Sequence, residues 1–254
     1  MNASARLDGV TIALTQAAER QSKLAAALVA FGAHIVSIPT VRTVEPGDQG
    51  ASLEQAVAML TEVSWLLVCS PTAVGRLEQR IPGGVGRAPG HVGAIGPGTA
   101  EALATLGVEV DLVPDRYVAE GLLEAFESIA PHTVDVVVIV GSQRARPVLF
   151  DGLTRQGFNV FSAFSHSTES RPIERVVIDQ LHECDAVAFA SSSAVTGFCE
   201  AVGRNHWPPV AACIGPISAA TARAFGFDRV IQAERHDISG LVEVVCDILG
   251  TPAQ

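Results

Sequence analysis

Four short turns concentrate the hydroxyls and backbone amides that could hold an anion: Ser70-Pro71-Thr72-Ala73-Val74, Gly96-Pro97-Gly98-Thr99-Ala100, Ser191-Ser192-Ser193-Ala194-Val195 and Gly215-Pro216-Ile217-Ser218-Ala219. Each follows an apolar run and opens a helical pattern. Their hydroxyls and N–H groups therefore fall at helix N-termini, where orphan N–H donors and the positive end of the helix dipole attract negative charge. In open α/β sheets ligands bind at that same place, outside the carboxyl ends of the strands. Taken singly, Ser70, Thr99, Ser191 and Ser218 also read as ordinary N-caps. Taken as two matched pairs, the four turns point to a shared binding cleft.

Other chemistry is thinly represented. Arg144 and Arg146 follow an apolar run and could hold a carboxylate, or could simply be solvated first-turn residues. The histidines (His34, His91, His132, His166, His182, His206, His236) show no i, i+4 pair, so no metal site is expected. His166 is the one worth weighing, in a polar stretch that reads either as an exposed loop or as a ligand-facing connection. Gly93-Ala94-Ile95-Gly96-Pro97-Gly98 lacks the G-x-G-x-x-G spacing, and neither a P-loop nor a G-x-S-x-G nucleophile turn occurs. Pro82-Gly83-Gly84-Val85-Gly86 reads as a flexible loop. Lys23 is the only lysine and lies in an Ala-rich helical stretch, so it reads as solvated rather than as a Schiff-base former.

The elements that must position these groups alternate. Short runs rich in Val and Ile read as strands at Thr11–Thr15, His34–Ile38, Trp65–Cys69, His91–Ile95, Val108–Val113, Val136–Val140, Asn159–Ala163, Ala186–Ala190, Val210–Ile214 and Arg229–Ile231. Helical patterns separate most of them, one carrying Leu24, Leu28 and Phe31, another Leu122, Phe126 and Ile129. Strands apolar along their whole length and separated by helices imply parallel sheets covered on both faces. The fold class is α/β, doubly wound.

The chain also repeats itself. Ser70-Pro71-Thr72-Ala73-Val74 recurs at Ser191 with an offset of 121, Gly96-Pro97-Gly98-Thr99-Ala100 recurs at Gly215 with an offset of 119, and Gly107 maps onto Gly226 with the same shift. Gly32 after the first helix matches Gly157 with an offset of 125. Two similar halves predict two domains. The Pro-bounded polar stretches 39–46 and 164–172 read as extended crossings, so 43–167 is expected to form an inserted domain and 1–40 plus 170–254 a discontinuous one.

Composition limits the partners. With 48% hydrophobic and 17% charged residues the 254-residue chain is too apolar for disorder. A net charge of −10 opposes non-specific binding to nucleic acid and to anionic membranes. Residues 41–170 carry eight basic and fifteen acidic groups and the remainder nine and twelve, so neither part draws in a polyanion by its overall field. Recognition of an anion must be local. Five cysteines with no C-x-x-C pair suggest neither a disulfide framework nor zinc, and the N-terminal residues show no signal-peptide pattern, so a cytoplasmic protein is expected.

Over nearly its whole length the chain resembles the uroporphyrinogen-III synthase family. The resemblance is carried by Leu14-Thr15, Gly32-Ala33-His34 through Ile38-Pro39, Cys69 through Val74, Ala94 through Ala100, Phe189 through Val195 and Ile214 through Ala219. It implies two flavodoxin-like α/β domains joined by two extended segments. It also implies cyclisation of hydroxymethylbilane, handed over by hydroxymethylbilane synthase, to uroporphyrinogen III, with loss of water and inversion of the last ring through a spiro intermediate. No cofactor or metal is implied, and a monomer is expected. Substrate-binding residues would be Thr15, Ser70, Thr99, Arg144, Ser191, Ser192, Ser193, Gly215 and Ser218. One departure stands out. Where the family carries a tyrosine in a V-Y-x-T-like run, this chain has Ser165-His166-Ser167-Thr168, and its only tyrosine is Tyr117. His166 is therefore the candidate general acid. The departure also admits an alternative, a relative that binds a tetrapyrrole or another polyanion in a regulatory role without turning it over.

Overall fold

The computed structural model describes residues 5–15, 21–81, 90–129 and 136–252. Pro82–Gly86 and His132 lie outside the described residues. In chain order the elements are β1 (Ala5–Arg6), β2 (Thr11–Leu14), α1 (Gln21–Ala30), β3 (His34–Ser37), β4 (Val41–Val44), α2 (Ala51–Ala58), β5 (Trp65–Val68), α3 (Pro71–Glu78), β6 (His91–Ala94), α4 (Pro97–Thr105), α5 (Ala119–Phe126) and β7 (Val136–Ser142). They continue with α6 (Val148–Arg155), β8 (Asn159–Ser170), α7 (Arg175–Gln180), β9 (Ala186–Phe189), α8 (Ser192–Ala201), β10 (Val210–Cys213), α9 (Pro216–Phe225), β11 (Val230–Gln232), α10 (Ile238–Leu249) and β12 (Thr251–Pro252).

The chain divides into two compact units, residues 1–42 with 169–254, and residues 43–168. Each is built on a five-stranded sheet. In the first the order is β11-β10-β9-β2-β3, parallel throughout. In the second it is β4-β8-β7-β5-β6, with β8, β7, β5 and β6 parallel. The fold class is thus α/β with two largely parallel sheets.

Alternation along buried strands supplies both faces of each sheet. In the second unit Leu66, Val68, Val138 and Val140 pack on one side among Leu53, Leu77 and Leu103. Leu67, Val137 and Ile139 pack on the other among Leu122, Phe126, Leu149 and Leu153. The first unit divides likewise: Val187, Phe189 and Cys213 lie on one face with Phe198, and Ile12, Leu14 and Ala212 on the other with Leu24, Leu28 and Val245.

The glycines that the repeat pairs, Gly32 with Gly157 and Gly107 with Gly226, all end helices at positive φ, between 76° and 98°. That left-handed stop is open to glycine without strain.

Two sequence expectations change. Val108–Val113 forms no strand; it contributes one isolated bridge, Leu112 to Gly93. Much of the second crossing belongs to a strand. β8 runs on from the expected Ala163 to Ser170, and β4, inside the first crossing, is its neighbour in the sheet. Where this pair enters the first unit, Arg171 N donates to Thr40 O at 2.8 Å and Thr40 Oγ1 donates to Ala194 O at 3.2 Å. Arg42 and Glu169 form an exposed ion pair at 2.9 Å.

Candidate functional site

In the second unit the parallel strands deliver four segments to one sheet edge. Ser70 follows β5 and caps α3, its Oγ accepting from Ala73 N at 3.1 Å. Gly96 follows β6 and caps α4 in extended conformation, with Pro97 in the first turn and Thr99 buried behind it. Gly141 and Ser142 end β7, and Phe164 and His166 lie opposite them in β8, with Ser165 as an extra residue between. These segments touch: Cys69 N donates to Val140 O at 2.9 Å, and Ser165 Oγ donates to Gly141 O at 2.9 Å. His166 is no exposed loop residue. It is 5% exposed, with Nδ1 2.8 Å from Ser165 Oγ, and its carbonyl accepts from Gln143 N at 2.8 Å.

The first unit repeats the design. Ser191 caps α8, its Oγ accepting from Ala194 N at 3.1 Å and lying 3.1 Å from Ser193 Oγ. Gly215 caps α9, closed by Ser218, whose buried Oγ donates to Gly215 O at 2.9 Å. Thr15 follows β2, fully buried, and donates to Ala188 O at 3.1 Å.

The hydroxyls of Ser70, Ser191 and Ser218 are thus engaged with the backbone of their own helix starts, and that of Thr15 with the neighbouring strand. Among the first-turn donors without an intrahelical acceptor are the amides of Gly98, Ser192, Ser193 and Ile217. Arg144 is exposed, with its N–H 3.3 Å from Ser142 Oγ. Arg146 is drawn aside by Glu120 at 2.8 Å, and its hydrogen bond holds the Glu120 carboxyl below its ordinary value.

Sequence reasoning passed over a further repeated contact. The ring of Tyr117 lies against Gly96, so that a Cβ on Gly96 would stand 3.0 Å from Tyr117 Cβ, and His236 lies against Gly215, where a Cβ would meet its Cγ at 3.3 Å. Arg116 pairs with Glu124 and Arg235 with Glu243, the latter at 3.3 Å. The signal was in the chain, since Arg116, Gly121, Leu122 and Glu124 recur with a shift of 119 as Arg235, Gly240, Leu241 and Glu243.

A family model described as uroporphyrinogen-III synthase HemD matches residues 22–243, which reach across both units. The chain belongs to the uroporphyrinogen-III synthase family. A uroporphyrinogen-III synthase of Synechococcus elongatus is 26% identical, covering 93% of this chain and 94% of the relative. A chloroplastic uroporphyrinogen-III synthase of Oryza sativa is 22% identical over 96% of this chain and 82% of its own length. Among solved structures, a mutant uroporphyrinogen III synthase of Thermus thermophilus superposes with a TM-score of 0.60 at 20% identity, covering 91% of this chain and 96% of that one. The enzyme of Helicobacter pylori gives 0.61 at 12% identity, covering 94% and 99%. At such identities the structures speak for the fold.

As a member of the uroporphyrinogen-III synthase family the chain offers few nucleophiles at these edges. Burial pushes the Cys69 and Cys213 thiols up to about 12, which keeps both protonated and unreactive at neutral pH. Among the described residues no group of three or more His, Cys, Asp or Glu side chains could hold a metal ion. Nor is any helix among them long and apolar enough to cross a membrane.

Proposed function

We propose that this chain is a uroporphyrinogen-III synthase, which closes hydroxymethylbilane to uroporphyrinogen III with loss of water and inversion of the last ring. The observation that carries the reading is the family match over residues 22–243. The site geometry supports it. A substrate with eight carboxylates and no overall attraction to a −10 chain needs local anion donors, and the amides of Gly98, Ser192, Ser193 and Ile217 are donors of that kind. Holding the first ring against the substituted carbon of the last supplies much of the acceleration; well-oriented intramolecular reactions gain about 7–11 kcal/mol. His166 supplies the proton on which the hydroxyl leaves as water and takes one back when the closing carbon is deprotonated. The proton count balances, and water is the only by-product.

The test adds purified protein to a hydroxymethylbilane-generating mixture and separates the type I and type III isomers. Type III product is expected. Type I alone, which forms spontaneously, would refute the proposal. A second reading, tetrapyrrole or polyanion binding without turnover in a regulatory role, is favoured by the imidazole at position 166, and type I product together with tight binding is its signature.

A further inference from the structure

β8 carries one residue more than its neighbour requires. β7 and β8 pair with Gly141 opposite Phe164, and pairing resumes with Ser142 opposite His166, which leaves Ser165 as an extra residue. A bulge of this kind interrupts the ladder and re-aims side chains, and bulges concentrate beside active sites. Backbone N–H and C=O groups shielded from water must be paired, so a bulge keeps one conformation only where other groups take over from the ladder.

One turn supplies those groups on both flanks. Just before the bulge, Phe164 N donates not to a strand but to Ser52 Oγ of α2, at 2.9 Å. The Ser52 hydroxyl in turn donates its proton to Asp48 Oδ2, which also accepts from Ser52 N at 3.0 Å, while Asp48 Oδ1 accepts from Gly50 N at 3.0 Å. Just after the bulge, His166 O accepts from Gln143 N at 2.8 Å, and Gln143 Oε1 accepts from Gly47 N at 2.8 Å. Residues 47–52 thus reach both sides of the segment that carries His166. The turn is itself strained: among the described residues Gln49 is the one non-glycine residue at positive φ, 56°, and such strain persists only where the surroundings hold it. Here they do, since Arg76 pairs with Glu45 at 2.6 Å and the Arg80 guanidinium covers Gly50, where a Cβ would stand 2.8 Å from it.

We propose that Ser52 is a positioning residue: its hydroxyl, oriented by Asp48, holds Phe164 N and so fixes the bulge of β8 and the place of the His166 ring. Without Oγ the Phe164 N–H has no acceptor there, and the extra residue is no longer confined to position 165. A slip of one residue turns strand side chains to the opposite face of a sheet, so even a partial shift displaces the ring. The role in turnover rests on the function proposed above, in which His166 is the acid–base group. A misplacement of about 1 Å costs such a group up to about 10²-fold in rate.

The experiment compares the intact wild-type chain with Ser52→Ala and Ser52→Thr, by NMR of ring-labelled histidine and by the isomer assay, with His166 assigned by the signals lost in His166→Gln. Ser52→Ala should move the His166 ring signals, and Ser52→Thr, which keeps the hydroxyl, should return them to their wild-type positions. In the assay Ser52→Ala should lower kcat on the order of tenfold or more with little change in KM, and Ser52→Thr should recover it. A Ser52→Ala chain with lowered Tm but unmoved ring signals overturns the proposal, because the hydroxyl would then only hold α2 against β8. Moved ring signals with an unchanged kcat remove Ser52 from turnover. Hydrogen exchange on the wild type needs no variant to fold: the Phe164 amide should exchange as slowly as the amides within β7, and fast exchange overturns the proposal. If the ring signals respond to both variants as expected while the wild type forms no type III isomer, the functional reading fails and the positioning of the ring by Ser52 stands.

Discussion

Replacing Ser191 with alanine and, separately, with glycine distinguishes two uses of one hydroxyl. Ser191 Oγ accepts from Ala194 N at 3.1 Å at the start of α8. Its removal leaves that N–H without an acceptor. Helix α8 is pinned by buried Ala194, Val195 and Phe198, so the loss is confined to the cap. A Ser-to-Ala change at an N-cap costs about 1 kcal/mol, whereas glycine, which lets water reach the helix start, costs only a few tenths. For a chain of this size about 1 kcal/mol corresponds to a fall in Tm of about 2–4 °C. Were the hydroxyl instead a ligand donor to a carboxylate, either variant would forfeit a charge-assisted hydrogen bond of about 1.5–3 kcal/mol, or roughly ten- to 150-fold in KM. Calorimetry and steady-state isomer analysis should give a lower Tm for Ser191→Ala, a smaller change for Ser191→Gly, and KM within about threefold for both. An unchanged Tm in both variants with KM raised more than tenfold would refute the assignment of the hydroxyl to the cap.

Further outcomes follow from the same geometry. His166→Phe should lower kcat by about 10²-fold or more, the ordinary worth of a placed acid–base group, while His166→Tyr, which restores a proton donor, should retain more activity; equal rates for wild type and Phe would remove His166 from the reaction. Gly121→Ala and Gly240→Ala would set a Cβ 2.0 Å and 2.1 Å from the carbonyl oxygens of Arg116 and Arg235, so each should destabilise its unit by about 3 kcal/mol or more in denaturant titration. The Asp111 carboxyl is held below its ordinary value first by Val92 N, which donates to Oδ2 at 2.7 Å, and also by His91. Its contribution is present above the unfolded carboxylate pKa of about 3.9 and is lost as pH falls through the lower folded value. The Tm difference between wild type and Asp111→Asn should therefore be present at pH 5 and close as pH falls below about 4; a difference that persists at low pH would contradict this.

Most of the fold was legible in the sequence because its signals are local. Apolar runs such as Trp65–Val68 and Ala186–Phe189 are strands because β-branched and small apolar side chains suit a position buried on both faces, and their order with helices between them implies parallel sheets. Gly32, Gly107, Gly157 and Gly226 mark helix ends because a left-handed stop favours glycine. The repeat marked the four turns, and the turn residues themselves dictate caps at Ser70 and Ser191.

What the tertiary structure alone decided is pairing. Val108–Val113 has the composition of a strand but gains a single bridge, since a strand needs a ladder of partners that propensity cannot supply. The polar run through His166 has the composition of a linker, yet β7 and β4 flank it and make it a strand to Ser170. The extra residue at Ser165 is invisible in the sequence, because a bulge exists only relative to the strand beside it. The residue types 165 and 166 are written in the chain; that they meet, buried, with Oγ 2.8 Å from Nδ1, comes from the register of β8 on β7.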